Sequence, residues 1–178
     1  MSNSRMTGKI PATLAALALT AGLGLAGAAP ASAASCGISW GSTAKTAPTH
    51  STAPITDVRS GRHECFDRLV IDVRGAVPGY RVAYVDQVTQ PGSGAGVPLR
   101  GGARLSVTVL APAYDAGGRA TYSPADRSAL VDVADHSTFR QVALAGSFEG
   151  QTTFGLGVRA RLPVRVTVLP GPGTDRGW

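Results

Sequence analysis

Three histidines and two glutamates bound the chemistry this chain could perform. His50 lies in a stretch of Ser, Thr, Ala and Pro, His63 in the turn Ser60-Gly61-Arg62-His63, and His136 beside Asp135 in a loop. A Ser–His–Asp triad is defined by spatial arrangement rather than by spacing, so its local signature has to be sought. The nucleophile elbow Gly-x-Ser-x-Gly is missing: Gly146-Ser147-Phe148-Glu149-Gly150 has the wrong offsets and no helical pattern after it. Glycoside hydrolysis needs one carboxyl in an apolar setting. Glu64 and Glu149, the only glutamates, have no such setting in sequence. There is no His-Glu-x-x-His, and the two cysteines are not spaced as a zinc pair. Asp132, Asp135 and His136 could ligate calcium or zinc, but a solvated loop is the plainer reading. Gly92-Ser93-Gly94-Ala95-Gly96 lacks the following helix that would hold a phosphate, and reads as a hairpin turn. The expectation is therefore no enzyme, no metal and no cofactor.

The best candidate for binding runs over residues 148–159, FEGQTTFGLGVR. Two aromatics, Phe148 and Phe154, stand among polar groups and three glycines. Glycine inside a strand marks a bulge or the close approach of another backbone. One reading makes Phe148, Glu149, Gln151, Thr152, Phe154 and Arg159 a strip that faces a sugar or a peptide. The other places both phenylalanines in the core, with the glycines relieving crowding, and it is the favoured one.

The elements that would carry these residues alternate with period two. Residues 66–74 place Leu69, Ile71 and Val73 on one face, and residues 80–88, 103–110, 139–148, 152–159 and 163–169 repeat the pattern. β-branched residues dominate each run, and Gly or Pro separates them. No window shows helical periodicity. Ser123-Pro124-Ala125-Asp126 alone resembles a helix start, which predicts one short helical turn. Seven or so short strands without crossover helices predict an all-β sandwich.

The N-terminus predicts export. Arg5 and Lys9 precede an apolar run from Leu14 to Ala29, and Ala31-Ser32-Ala33 offers small residues for cleavage. The run is too short and Gly-rich for a membrane span, which needs roughly 20 strongly apolar residues. The expected organisation is a signal peptide over 1–33, a Ser/Thr/Pro-rich arm over 34–54 and a β domain over 55–178. Of 17 basic side chains, Arg5 and Lys9 leave with the leader, so 15 face 11 acidic ones, a balance of +4. The arginines are scattered, which fits a GC-rich genome more readily than attraction to an anionic wall polymer. Export and modest charge argue against nucleic acid. Cys36 and Cys65 would both survive cleavage, and an even count in an oxidising compartment points to a disulfide. A lipid anchor on Cys36 is the weaker reading, because Ala33 stands where a lipoprotein signal places Leu.

Trp40-Gly41-Ser42, the run from Gly61 through His63-Glu64-Cys65-Phe66-Asp67-Arg68 to Asp72, Gly146 to Gly150, Phe154 to Arg159 and Pro163-Val164-Arg165-Val166 share a further property. Together they resemble the AMIN-like domain of secreted actinobacterial proteins, over about residues 36–170. The resemblance implies a β-sandwich related to the AMIN module, which directs cell-wall amidases to peptidoglycan. It also implies a Cys36–Cys65 pair and no catalytic residue. Relatives close with a strand like Arg-Leu-Val-Val-Asp-Val-Ala-His, whereas here the last residues are Gly173-Thr174-Asp175-Arg176-Gly177-Trp178. That difference predicts a missing closing strand. The functional expectation is a secreted, wall-associated, non-catalytic module. Its partner would be peptidoglycan or another envelope polymer, or an envelope protein. A secreted protein-interaction or inhibitor domain is the alternative, and a secreted hydrolase a third reading.

Overall fold

A computed structural model describes residues 39–170 and 175–177, all within the unit Ser35–Trp178. The expected leader and Cys36 lie outside the described residues. The strands are β1 (Lys45–Ala47), β2 (Ile55–Arg62), β3 (Asp67–Arg74), β4 (Tyr80–Val85), β5 (Val88–Thr89), β6 (Gly96–Val97), β7 (Ala103–Val109), β8 (Phe139–Phe148), β9 (Gln151–Val158), β10 (Leu169–Pro170) and β11 (Asp175–Gly177). No helix occurs among the described residues. All pairings are antiparallel. One sheet has the order β1-β4-β7-β9-β8, the other β10-β11-β3-β2, and β5-β6 is a separate hairpin closed by the expected glycine-rich turn.

Alternation builds the inner faces. Ile71 and Val73 of β3 point inward with Ile55 and Val58 of β2. Ile55 and Val58 are three residues apart. A bulge between Ile55 and Asp57 absorbs the extra residue and keeps both on the core side. They meet Val109 of β7 and Phe154 of β9, and Phe154 is fully buried. A second cluster joins Val82, Leu105, Phe139, Val142, Leu156 and Val158. β9 is buried on both faces. Residues 99–102 cross its outer side so closely that a Cβ at Gly157 would overlap the carbonyl oxygen of Arg100. The glycines of β9 thus mark the approach of another backbone, one of the meanings a glycine in a strand can carry.

Four local expectations need correction. Residues 63–66 form the turn before β3, with His63 N bonded to Phe66 O at 2.9 Å, so Ser60, Gly61 and Arg62 belong to β2. The predicted helical turn at residues 123–126 is an Asp-capped loop instead: Asp126 accepts hydrogen bonds from Ser128 N and Oγ, both at 2.7 Å. This side-chain bonding competes with helix formation. Residues 163–168 are extended but lie outside any ladder. Their alternation survives, because Val164 and Val166 pack against the core, yet the segment crosses the end of the sandwich instead of lying beside a strand. Finally, where the resemblance predicts a missing closing strand, a short C-terminal strand is present. β11 pairs with β3 at Arg74, Val73 and Asp72, three residues where the resemblance implies a longer strand.

The arm is extended and docked. β1 pairs with β4 from Lys45↔Val82 to Ala47↔Tyr80, and Ser51 N bonds Leu110 O at 3.0 Å. Between the sheets, Asp67 at the start of β3 accepts hydrogen bonds from the backbone leading into β8. Its donors are Ser137 N (3.3 Å), Thr138 N, Thr138 Oγ1 (2.6 Å) and Phe139 N (3.0 Å). Burial pushes the Asp67 carboxyl upward, but these bonds to the charged form outweigh it and hold the net value below the ordinary range. Because the folded value is depressed, its stabilisation is fully present above the unfolded value near ~3.9 and is lost as pH falls through the folded value. Asp67→Asn should lower the denaturation midpoint near neutral pH and flatten the fall of stability below about pH 4. Chemical denaturation at a series of pH values checks both effects.

Candidate functional site

The six positions expected to bind a ligand do not converge. Phe148 is 48% exposed at the end of β8, with its ring over Gly92. Glu149 occupies the tight turn with φ of 49°, and Gly150 N bonds the Tyr114 hydroxyl at 2.9 Å. Gln151 accepts a hydrogen bond from the Arg81 guanidinium through Oε1. Thr152 is fully buried; its Oγ1 donates to Ala111 O at 2.8 Å and lies 2.8 Å from Ser147 Oγ. Phe154 is core, as the favoured reading has it. Arg159 sits past the far end of β9, eight residues from Gln151, or roughly 26 Å of strand. Only Phe148, Glu149 and Gln151 share a surface. Thr152 and Phe154 are closed to any ligand because strand alternation turns them into the fold.

The structure instead assembles a group at the opposite end. Trp40 packs edge-on to Phe66, ring centres 5.6 Å apart, and His63 stacks on the same Phe66 at 4.5 Å. The Arg165 guanidinium lies 4.8 Å from the Trp40 ring centre, and Arg68 lies 5.6 Å from that of Phe66. Nearby, Arg161 covers Tyr84 at 4.8 Å. These separations are within cation–π range. All three arginines and His63 are exposed. The turn at residues 63–66 presents His63 and Phe66, the start of β3 presents Arg68, and the extended segment from Arg161 to Leu169 supplies Arg161 and Arg165.

That segment acts as a strap over a cavity of about 440 Å³ between the sheets. Its start is clamped: Tyr84 Oη donates to Leu162 O and accepts from Leu162 N, both at 2.8 Å. Val164 N bonds Gly41 O at 2.8 Å. Leu69, Val107 and Phe139 line the cavity with Trp40 and Phe66 at its rim, and Cys65 lies in the same wall. Sequence reasoning missed this group as a site. The available signal was the placing of Arg159, Arg161 and Arg165 among the apolar residues of one alternating segment.

His136 stacks on Phe139 at 5.6 Å, and both of its ring nitrogens are shielded from solvent. Asp132 and His136 line a second, more open cavity with Arg100 and Arg140. Among the described residues, no three His, Cys, Asp or Glu side chains gather as metal ligands. Burial pushes the Tyr122 hydroxyl up to about 12, with Asp57 adding to the shift.

Comparison with family models matches residues 53–176 to the AMIN-like domain. The chain belongs to the AMIN-like domain family. No curated protein and no solved structure matches it. The AMIN-like span includes every strand from β2 to β10 and the rim residues His63, Phe66, Arg68, Tyr84, Arg161 and Arg165. Trp40 lies ahead of the matched span, on the arm docked against the AMIN-like body. Tyr84→Phe removes both bonds that clamp the strap to that body, worth roughly 1–2 kcal/mol together. The Leu162 amide should then exchange with solvent about tenfold faster, since each 1.4 kcal/mol of local stability is a factor of ten. Amide hydrogen exchange across residues 160–168 reads this out, with β7 and β9 unchanged.

Proposed function

We propose that this AMIN-like chain is an exported, non-catalytic envelope module that holds wall polymer at its aromatic–arginine rim. The observation that carries the reading is the grouping of Trp40, Phe66 and His63 with Arg68 and Arg165 on one surface. Flat aromatic rings offer apolar faces to sugar rings, and guanidinium groups bind carboxylates bidentately. Peptidoglycan, which presents sugars and carboxylates along one polymer, matches both. Its attraction to exposed arginines is screened by salt.

Co-sedimentation with purified peptidoglycan tests the proposal. The protein should pellet with the polymer at low salt, release progressively as salt rises, and lose most of its binding in the paired variant Trp40→Ala/Arg165→Ala. Protein that stays in the supernatant at low salt overturns the reading. The alternative, a protein-interaction domain working through a sheet edge, has less support. The long edge strand β8 is covered along its free side, where Leu130 N bonds Val142 O at 2.9 Å and Leu144 N bonds Arg127 O at 2.7 Å.

Export also frames the Cys36–Cys65 pairing, of which only Cys65 is within the described residues. We propose that the bridge ties the chain ahead of Trp40 to the turn that carries Phe66. Closing that loop would stabilise the fold by roughly 3–4 kcal/mol on the chain-entropy model. Intact-mass measurement of denatured protein should show two alkylations only after reduction. Two alkylations without reductant would refute the pair.

A further inference from the structure

Protein interiors are packed almost without voids larger than a water molecule. The space between these sheets is different. Its volume of about 440 Å³ falls within the range of roughly 300–1,000 Å³ usual for small-molecule sites. Two inward side chains on facing strands show the gap directly. Leu69 of β3 and Val107 of β7 are only half-buried, whereas Ile71, Leu105 and Val109 beside them are buried. The strap from Arg161 to Leu169 crosses the opening without filling it.

The mouth differs in character from the interior. Arg68, Arg159 and Arg165 border it and are exposed. The one carboxylate in the lining, Asp67, is committed to the amides and hydroxyl of residues 137–139. Three cations thus border an apolar slot whose lining, among the described residues, holds no second carboxylate. An interior of Leu and Val suits a hydrocarbon tail, and a ring of guanidinium groups suits a compact anionic head.

We infer that this cavity binds one molecule of a single-chain anionic amphiphile, a fatty acid or its alkyl phosphate equivalent. The tail lies between Leu69 and Val107, and the head is held by Arg68, Arg159 and Arg165. The inference rests on the cavity and its mouth and not on wall binding, so a chain that ignores peptidoglycan would still take up the amphiphile.

Isothermal titration of the purified full chain with dodecanoate, kept below its micelle concentration, provides the test. Saturable uptake of one equivalent is expected, with a negative heat-capacity change from apolar burial. Dodecyltrimethylammonium, with the same tail and a cationic head, should bind about tenfold more weakly. Val107→Phe fills the slot and should reduce dodecanoate affinity by at least about tenfold, with circular dichroism confirming the fold. Arg165→Glu, at an exposed site, should leave the fold intact and abolish the preference for the anionic head. Both variants keep the same N-terminus, so losses in them localise the site. Absence of saturable heat, unchanged affinity in folded Val107→Phe, equal binding of the two head groups, or uptake only from anionic phospholipid vesicles would each overturn the inference.

Discussion

A single carboxylate fastens the two sheets at one corner. Asp67 is the first residue of β3, and the groups it binds lead directly into β8 on the opposite sheet. Hydrogen bonds to a charged acceptor contribute roughly 1.5–3 kcal/mol each, more than ordinary polar contacts. This junction also fixes Phe139, whose amide donates to Asp67 and whose ring forms part of the cavity wall. The separation of the sheets at that end is therefore set by a polar joint rather than by side chains pressed together. By contrast, the exposed Arg59–Asp72 pair at 2.7 Å joins strands already laddered within one sheet, and such surface pairs contribute little.

At the other end of the sandwich the sheets meet through Ile55, Val58, Val73, Val109 and Phe154. The molecule thus combines a packed end and a propped end. Rim, strap and cavity all belong to the propped end, whereas β1 pairs with the start of β4, where Tyr80 lies opposite Val109 of the packed end. Recognition surfaces are commonly carried on segments outside regular structure that a rigid scaffold positions, and the segment from Arg161 to Leu169 has that character. Most of it is free of ladder bonds, and the Tyr84 hydroxyl holds its start.

Much of the architecture was legible because a strand with one buried face must alternate. Residues 67–74, 103–109 and 139–148 announce their strands in this way, and the hairpin at Gly92 to Gly96 announces its turn. The arm misled for a physical reason. Lys45-Thr46-Ala47 has no apolar pattern, and it becomes a strand only because the edge of β4 is available to pair with it. The strap misled in the opposite sense, since alternation reports a buried side and not a hydrogen-bonded neighbour. The short length of β11 follows no pattern that could be read in advance. The site was least legible of all. Trp40, Phe66, Tyr84 and Arg165 are far apart in sequence and meet only when the turn before β3 and the strap close over the same opening. The strip 148–159 held contiguous candidates, but alternation sends its members to different faces, and strand length sends Arg159 to the opposite end.

The glycines of β9 limit how this chain can diverge. Any side chain at Gly157 must displace the backbone that crosses it at Arg100, while Gly155 lies beneath the Leu99 side chain. At Gly157 main chain crowds against main chain, which no compensating change in side-chain size can relieve, whereas at Gly155 a smaller residue in place of Leu99 could make room. The rim has no such restriction, because its arginines and its histidine project from a turn, a strand start and a strap toward solvent. Constraint and adaptability are thus assigned to separate parts of the fold. The scaffold resists change where β9 is enclosed, and the surface of its open end can change one residue at a time.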